Sequence, residues 1–255
     1  MNPPHSIDLN SDLGESYGSW VMGNDEAVLD LVSSANIACG FHAGDATVLL
    51  KTVVAAKARN VRIGAHIGYN DLTGFGRRAM EYDHEVLVAE TIYQIGAIQA
   101  AATTVGATVD YVKPHGALYN RIAVDEAQAA AVIEAMKKLN PELPLMVLSG
   151  APIVDQAISE GLTVIQETFA DRAYTSDGRL VSRTQAGAVH HDPQVAARQA
   201  LAFATGGSIT SIDGDPVTVH ADSICVHGDN PAALDLVRTI IDTLRAHGVE
   251  VRRAR

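Results

Sequence analysis

The sequence contains little cysteine, which excludes a fold held together by several disulfides. Cys39 and Cys225 are the two thiols in 255 residues, and each lies inside a short apolar run. A cysteine in such a run usually packs as a small hydrophobic side chain. We therefore predict two buried, reduced thiols, because disulfides are rare inside cells.

Long apolar runs are also missing from the sequence. No segment approaches the ~18 consecutive apolar residues that a membrane span needs. Residues 1–9 have neither the basic start nor the apolar stretch of a secretory leader. We therefore predict a cytoplasmic protein.

Positive charge is scarce relative to negative charge. The chain has 19 Lys and Arg against 30 Asp and Glu, which gives a formal net charge of −11. Such a charge repels phosphate backbones and anionic lipids, and this argues against nucleic-acid and membrane partners. An anionic small substrate would need a local cationic patch, for which the candidates are Arg78, Lys113, Arg172 and Arg183.

Several short motifs of well-known chemistries are absent as well. The sequence has no Gly-x-x-x-x-Gly-Lys phosphate loop and no Gly-x-Ser-x-Gly nucleophile turn. It also has no His-x-x-x-His or Cys-x-x-Cys spacing, so the usual local metal signatures are missing. Any active site must therefore be assembled from residues that lie far apart in the chain.

What the sequence does contain is a regular alternation of short strand patterns and longer helical patterns. Apolar residues make up 47% of the chain, which is enough to build a sizeable core. The predicted strands are residues 6–13, 35–39, 62–68, 109–114, 145–149, 163–169 and 223–226. The helices that follow them are residues 25–33, 46–60, 83–105, 125–140, 152–160, 193–204 and 231–247.

Seven strand–helix units predict an α/β protein with a parallel sheet covered by helices. We expect the sheet to close into a barrel within one domain, residues 1–255. An open doubly wound sheet is the main alternative, which periodicity alone does not separate from a barrel.

Residues 171–192 form a long connection of the kind that is often functional. Residues 208–219, with Asp213-Gly214 at their centre, indicate an inserted hairpin.

Polar residues cluster at the carboxyl end of every predicted strand. In parallel α/β folds this edge binds ligands, because the strand–helix loops converge there. Any single one of these residues could instead cap the helix that follows and have no role in ligand binding. We expect this above all for three of the aspartates. The full set is Asp12, Glu15, His42, Asp45, His66, Asn70, Asp71, Lys113, His115, Ser149, Glu167, Asp171, His227 and Asp229, with Asp45, Asp71 and Asp229 as the expected caps.

The first strand also predicts a polar interior. Asp8, Asn10 and Asp12 alternate with apolar residues and therefore point to one side of the strand. Buried polar groups without partners are costly, so this side must meet hydrogen-bond partners, a ligand or a cation. We expect Asp12 and the nearby Glu15 to be functional.

Three histidines from consecutive units can converge on one centre. His42 lies in a glycine-flanked loop, and His66 and His115 follow the next two strands. Imidazoles with carboxylates can hold a divalent metal or act as acids and bases near neutral pH. The sequence does not choose between these roles. Arg78, in a glycine-rich basic loop, suits a phosphate or carboxylate, although a solvated loop would look the same.

Six stretches of the sequence carry a resemblance to a known family. They are residues 8–15, 35–45, 64–71, 112–120, 167–174 and 226–229. In these stretches the sequence resembles the LamB/YcsF family, a group of 5-oxoprolinase subunits, and the resemblance runs from about residue 6 to about residue 250.

The resemblance implies an irregular seven-stranded βα barrel similar to carbohydrate deacetylases and related hydrolases. It also implies hydrolysis of the lactam of 5-oxoproline to glutamate, with ATP as co-substrate cleaved to ADP and phosphate. Partner subunits B and C of the 5-oxoprolinase take part in this reaction, and Mg²⁺ is expected to accompany ATP.

Residue roles follow as hypotheses from this reaction. Asp12 or Glu15 acts as the base, and Lys113 with His115 stabilises developing negative charge. His42 and His66 hold substrate or a divalent ion. Substrate or nucleotide contacts are expected from Asn10, Arg78, Asn120, Glu167, Asp171, Arg172, Tyr174, Arg183 and His227.

Two other functions remain open from the sequence. One is a metal-dependent deacetylase or amidohydrolase that works without ATP, with Asp12, His42 and His66 as ligands. The other is a non-catalytic component that delivers substrate to its partners.

Overall fold

The computed structural model describes residues 5–228 and 231–254, and its main feature is a closed barrel of seven parallel strands. The barrel is formed by β1 (Ser6–Leu13), β2 (Ser34–Ala38), β3 (Arg62–Ile67), β4 (Tyr111–Pro114), β5 (Leu145–Leu148), β6 (Val164–Phe169) and β9 (Ser223–Cys225). The described residues also form β7 (Ile209–Thr210), β8 (Pro216–Val217) and β10 (Glu250–Val251). The first six pair in chain order, β6 pairs with β9, and β9 pairs with β1. This last pairing closes the sheet, so the predicted barrel is confirmed and the open doubly wound sheet is excluded.

The three remaining strands lie outside the barrel ring. β10 was not predicted, and it adds to the start of β1 in parallel register, with Ser6 opposite Glu250. β7 and β8 form a separate antiparallel hairpin. This hairpin contacts the long connection after β6, because Ile212 N donates a hydrogen bond to Tyr174 O at 2.8 Å.

Helices surround the barrel and bury its outer face. They are α1 (Asp25–Leu29), α2 (Ala46–Ala58), α3 (His84–Thr104), α4 (Gly116–Ile122), α5 (Glu126–Leu139), α6 (Pro152–Ser159), α7 (Pro193–Thr205) and α8 (Pro231–Ala246). α4 was not predicted, and it begins directly after β4. The expected polar residue Asp229 lies outside the described residues. So does Asn230, which directly precedes Pro231 and is therefore predicted to cap α8. Within the part of the chain that the structure describes, no helix is both long and apolar enough to cross a membrane.

Two of the three aspartates that were expected to be caps, Asp45 and Asp71, do cap helical turns. Asp45 Oδ1 accepts hydrogen bonds from the backbone of the first turn of α2, at 2.8 Å and 2.9 Å. Asp71 caps a short 3₁₀ turn and forms an ion pair with Arg78. Asp192 caps α7 directly ahead of Pro193, and an aspartate followed by proline is a sequence pattern that predicts a helix start. These side chains therefore satisfy backbone N–H groups at helix starts.

The barrel interior is polar, as the alternation in β1 predicts. Asn36 Nδ2 donates to Asn10 Oδ1 at 2.7 Å, and Asn10 Nδ2 donates to Ser223 Oγ at 2.8 Å. Ser223 in turn donates to Asp8, and Tyr111 OH donates to Asn36 at 2.6 Å. The buried polar groups of β1 therefore take their partners from β2, β4 and β9, while the apolar core lies between the strands and the helices.

Both thiols are buried and free of disulfides, as predicted. Burial raises the pKa of Cys39 to about 12, so this thiol stays protonated near neutral pH. Desolvation also raises the pKa of Cys225, although Lys113 lies beside it.

Candidate active site

A cavity of about 230 Å³ opens at the carboxyl ends of the barrel strands. Pockets that hold drug-sized ligands measure about 300–1,000 Å³. The cavity therefore has room for a small molecule. Residues singled out from the sequence that line it are Asp12, Glu15, His66, Lys113, His115, Asn120, Arg172, Arg183 and His227.

The floor of the cavity contains one buried ammonium group between two carboxylates. Lys113 Nζ lies 2.9 Å from Asp12 Oδ1 and 2.8 Å from Glu167 Oε1. Burial opposes the charge of Lys113, but Asp12, Cys225 and Glu167 outweigh it and raise the pKa of Lys113 well above its usual value. Burial likewise opposes the charge of Asp12, yet His66 and Lys113 hold the pKa of this carboxyl well below its usual value. The pair is therefore ionised at neutral pH.

Lys113 Nζ donates hydrogen bonds to Asp12 Oδ1, Asn10 Oδ1 and Cys225 Sγ, and Glu167 Oε1 contacts it as an ion pair. A third oxygen, Asn10 Oδ1, lies 3.2 Å from Nζ, and an ammonium group has three hydrogens to donate. Glu167 is also fixed from its other side, because Tyr119 OH donates to Oε2 at 2.7 Å. With these contacts Lys113 is better placed to position Asp12 than to stabilise negative charge that develops on a substrate.

Both carboxylate oxygens of Asp12 have protein partners. Oδ1 accepts hydrogen bonds from Lys113 and, at 2.8 Å, from Asn36 Nδ2. Oδ2 lies 3.3 Å from His66 Nε2. The carboxylate is thus held at both oxygens, while 23% of the side chain stays exposed.

Three imidazoles pack against one another beside Asp12. The rings of His42 and His115 stack with centroids 3.8 Å apart and planes 6° apart. His66 meets both rings edge-on. Burial, reinforced by the neighbouring histidines, lowers the pKa of His115 to about 3 and also lowers that of His42 well below its usual value. These two imidazoles are therefore neutral near pH 7.

Glu15 completes this histidine cluster. Its Oε1 lies 3.3 Å from His42 Nε2, 3.5 Å from His115 Nδ1 and 3.9 Å from His66 Nε2. One possible ligand atom from each of the four side chains falls within 4.8 Å of the other three. The cluster can therefore hold a metal ion.

Basic side chains line the upper walls of the cavity. Arg77, Arg172 and Arg183 all face it. Arg172 is anchored by donating to the backbone oxygens of Val181 and Ala188 in the long connection after β6. This local positive charge is the cationic patch that an anionic ligand would need on a protein of net negative charge.

Comparison with known proteins identifies the family. The sequence model of the LamB/YcsF family matches residues 7–255. The chain belongs to the LamB/YcsF family. Its relatives include a protein from Corynebacterium efficiens that is named as the A component of 5-oxoprolinase, 98% identical over 255 residues, with 100% of both chains covered. A protein of the same name from Corynebacterium glutamicum is 74% identical over 250 residues, which cover 98% of this chain and 99% of that one.

A LamB/YcsF-like fold is also present among solved structures. The lactam utilization protein from Thermus thermophilus matches with a TM-score of 0.93 and 44% identity. The match covers 97% of this chain and 99% of that one. The irregular seven-stranded barrel that the family resemblance implied is therefore confirmed.

Not all residues singled out from the sequence reach the cavity of this LamB/YcsF protein. Arg78 turns away and pairs with Asp71, and its side chain is 64% exposed. Tyr174 is fully buried against Phe203, and its hydroxyl accepts a hydrogen bond from Phe169 N at 2.9 Å.

The other residues lie at or next to the cavity. Asn10 and Glu167 are buried beneath its floor, and His42 is buried behind the other two imidazoles. Asp171 borders an adjoining pocket and lies 2.9 Å from His227 Nδ1.

Sequence reasoning missed three residues of the site. Arg77, next to the predicted Arg78, is the arginine of that loop that faces the cavity. Phe75 accepts a hydrogen bond from His115 through its backbone oxygen, in a turn where Phe75 itself has a φ of 55°. Tyr119 lies on the unpredicted α4. The glycines around residue 75 signalled a special loop, but not which arginine the turn would direct inward.

Proposed function

We propose that this protein is the A component of a 5-oxoprolinase, which opens the lactam of 5-oxoproline to give glutamate. One observation carries the proposal: the chain is 98% identical, over the full length of both proteins, to a relative of that name. The relative from Thermus thermophilus is named for lactam utilization, which supports the same substrate class.

The cavity suits such a substrate on physical grounds. A volume of about 230 Å³ accommodates a small ring, and Arg77, Arg172 and Arg183 can receive a carboxylate. Asp12 offers a held, ionised carboxylate that is partly exposed, and we assign it the role of proton acceptor for an attacking water. Lys113 positions this carboxylate.

ATP cleavage belongs to the proposal at the level of the complex. A lactam carbonyl is a poor electrophile because of amide resonance, and phosphorylation of its oxygen would supply a leaving group. We assign the ATP requirement, with its Mg²⁺, to an assembly of this chain with subunits B and C.

The test is release of glutamate from 5-oxoproline by this chain alone and by the chain with its partner subunits, with and without ATP. We expect activity with all components and ATP. Asp12→Asn should lower turnover of the complex by at least ~100-fold, because it removes the proton acceptor. Asp242→Asn, the same change on an exposed position of α8, is the matched control and should leave turnover unchanged. Normal turnover by Asp12→Asn would remove Asp12 from the mechanism.

A second function is favoured by the histidine cluster with Glu15. A metal-dependent amidohydrolase that needs no ATP would use such a cluster. Hydrolysis of 5-oxoproline or another amide by the isolated chain without ATP, abolished by a chelator, would favour it over the proposal above.

A further inference from the structure

Residues 16–24, the loop between β1 and α1, present an apolar surface to solvent. The loop carries Trp20, the one tryptophan of the sequence, which is 69% exposed, and the next residue, Val21, is 85% exposed. Tyr17 and Met22 are exposed as well. No residue of this stretch is charged, although 19% of the whole chain is. Burial of such side chains is favourable, and a contiguous exposed group of them marks a contact with another molecule.

The loop is already ordered in the isolated chain. Tyr17 and Trp20 exchange two backbone hydrogen bonds, at 2.9 Å and 2.8 Å, and their ring centroids lie 6.4 Å apart. Met22 N donates to Ser16 Oγ at 2.9 Å. A loop that is ordered beforehand loses little conformational freedom when it binds. Tryptophan, tyrosine and methionine are also the side chains that protein interfaces favour.

The uncharged surface continues onto the start of α2. This helix begins beside the loop, because Asp45 Oδ2 accepts a hydrogen bond from Gly18 N at 2.8 Å. The exposed side chains of its first five residues are Ala46, Thr47 and Leu50. The loop and this helix start therefore offer one ordered surface on the same side of the barrel.

This surface adjoins the cavity of the candidate active site. Met22 borders a smaller cavity of about 80 Å³, which is also lined by Asp12, Glu15 and Arg77. The same three residues line the main cavity. A protein that covers the loop therefore lies next to the place where the lactam is proposed to react.

Acidic side chains outnumber basic ones around the loop. Among the described residues, the acidic ones beside it, on α1 and at the start of α2 are Glu15, Asp25, Glu26, Asp30 and Asp45, and the basic ones are Lys51, Arg59 and Arg77. A second copy of this chain would bring the same acidic surroundings face to face, on two molecules of net charge −11. Complementary charge therefore favours a different protein with basic residues at the edge of its contact face.

We propose that residues 16–24 are the docking surface for the assembly of subunits B and C of the 5-oxoprolinase. The contact face of this assembly has an apolar recess that receives Trp20 and a basic edge that meets the acidic surroundings of the loop. The inference rests on the proposed function, which supplies these partners, and it adds the surface at which they bind.

The single tryptophan gives a direct test. The full chain labelled with fluorotryptophan has its fluorine atom at Trp20 alone. We expect its fluorine NMR signal to shift and broaden when unlabelled subunits B and C, purified together, are added. Raising the concentration of the labelled chain by itself should leave the signal unchanged. A signal that shifts with the concentration of the chain alone would mean that a second copy covers the loop, and this would overturn the proposal.

A variant measures how much the loop contributes to assembly. Trp20→Ser should weaken binding of subunits B and C by at least ~30-fold, the loss typical of a tryptophan at the centre of an interface. Sedimentation or light scattering of the mixture measures this affinity. Tyr93→Ser is the matched control, because Tyr93 is an aromatic residue on α3 with a similar exposed fraction, 66%. It should leave the affinity unchanged.

The outcomes separate this inference from the proposed function. A wild-type chain that binds subunits B and C with an unshifted fluorine signal overturns the inference, as does unchanged affinity in Trp20→Ser or an equal loss in Tyr93→Ser. A wild-type chain that forms no complex overturns it too. A complex that forms but releases no glutamate from 5-oxoproline with ATP overturns the proposed function instead. If Trp20→Ser does not fold, the fluorine signal of the wild-type chain decides.

Discussion

At the scale of single residues, Lys113 is the group on which the barrel floor depends. It is 3% exposed and is the ammonium between two carboxylates, one of which, Glu167, is fully buried. Removal of one partner from a buried ion pair leaves an uncompensated charge in a medium that solvates it poorly. The position of Asp12 and the stability of the floor are therefore coupled through one side chain.

Lys113→Met should destabilise the protein strongly. Asp12 and Glu167 would lose their common counter-charge, which costs about 3–5 kcal/mol in the free energy of unfolding. Urea denaturation followed by circular dichroism measures this change. Lys137→Met is the matched control, since Lys137 pairs with Glu160 on the surface and should contribute little. Equal unfolding midpoints for the two variants would contradict this account of the floor.

At the scale of elements, the side chain that caps α2 also forms a hydrogen bond with the loop after β1. Asp45 caps α2 through Oδ1, and its Oδ2 accepts a hydrogen bond from Gly18 N at 2.8 Å. Gly18 belongs to residues 16–24, the loop that follows Glu15 and carries the exposed Trp20. One side chain thus satisfies both a helix start and the loop next to the histidine cluster.

Asp45→Ala should therefore loosen the loop as well as the helix. We expect faster amide hydrogen exchange in residues 16–24 and in the first turn of α2, together with a lower urea midpoint. Asp192→Ala is the control, because Asp192 caps α7 through Gln194 N without reaching this loop. Unchanged exchange in residues 16–24 of Asp45→Ala would show that Gly18 is held by other contacts.

At the scale of the whole molecule, the barrel encloses neutral histidines, and this couples its stability to pH. The pKa of His115 is lowered to about 3 in the folded chain, against an ordinary value of 6.5, and that of His42 is lowered too. Burial is the main cause for both. Below about pH 6.5 the unfolded chain takes up protons that the folded chain excludes, so folding loses stability as pH falls.

With a chelator present to keep metal out, the free energy of unfolding should fall as the pH is lowered from about 7 to about 5. Each buried histidine contributes a slope of up to about 1.4 kcal/mol per pH unit. Urea denaturation at a series of pH values measures it. His220→Gln, which alters an exposed histidine, should keep the same slope. A free energy of unfolding that is constant or rises toward pH 5 would mean that these imidazoles are protonated in the folded state.

The sequence predicted regular elements well and short ones poorly. β1 has the predicted bounds, Ser6–Leu13, because polar and apolar residues alternate over most of its length. α4 was missed because Pro-His-Gly at its start resembles a turn, and β10 was missed because two residues carry no periodicity. The strand ends likewise predicted which side of the barrel carries the cavity, but not which residues line it. Arg78 was therefore predicted to face the cavity, whereas Arg77 does so.

The sequence by itself determined the alternation of strands and helices, the polar interior of β1 and the edge of the sheet where polar residues gather. These follow from local spacing, since a strand alternates its faces wherever it lies. Only the tertiary structure decided that the sheet closes, that Lys113 meets Asp12 from 101 residues away, and that His66 Nε2 and His115 Nδ1 lie 3.0 Å apart. Such contacts depend on strand register and ring closure, which no local pattern encodes.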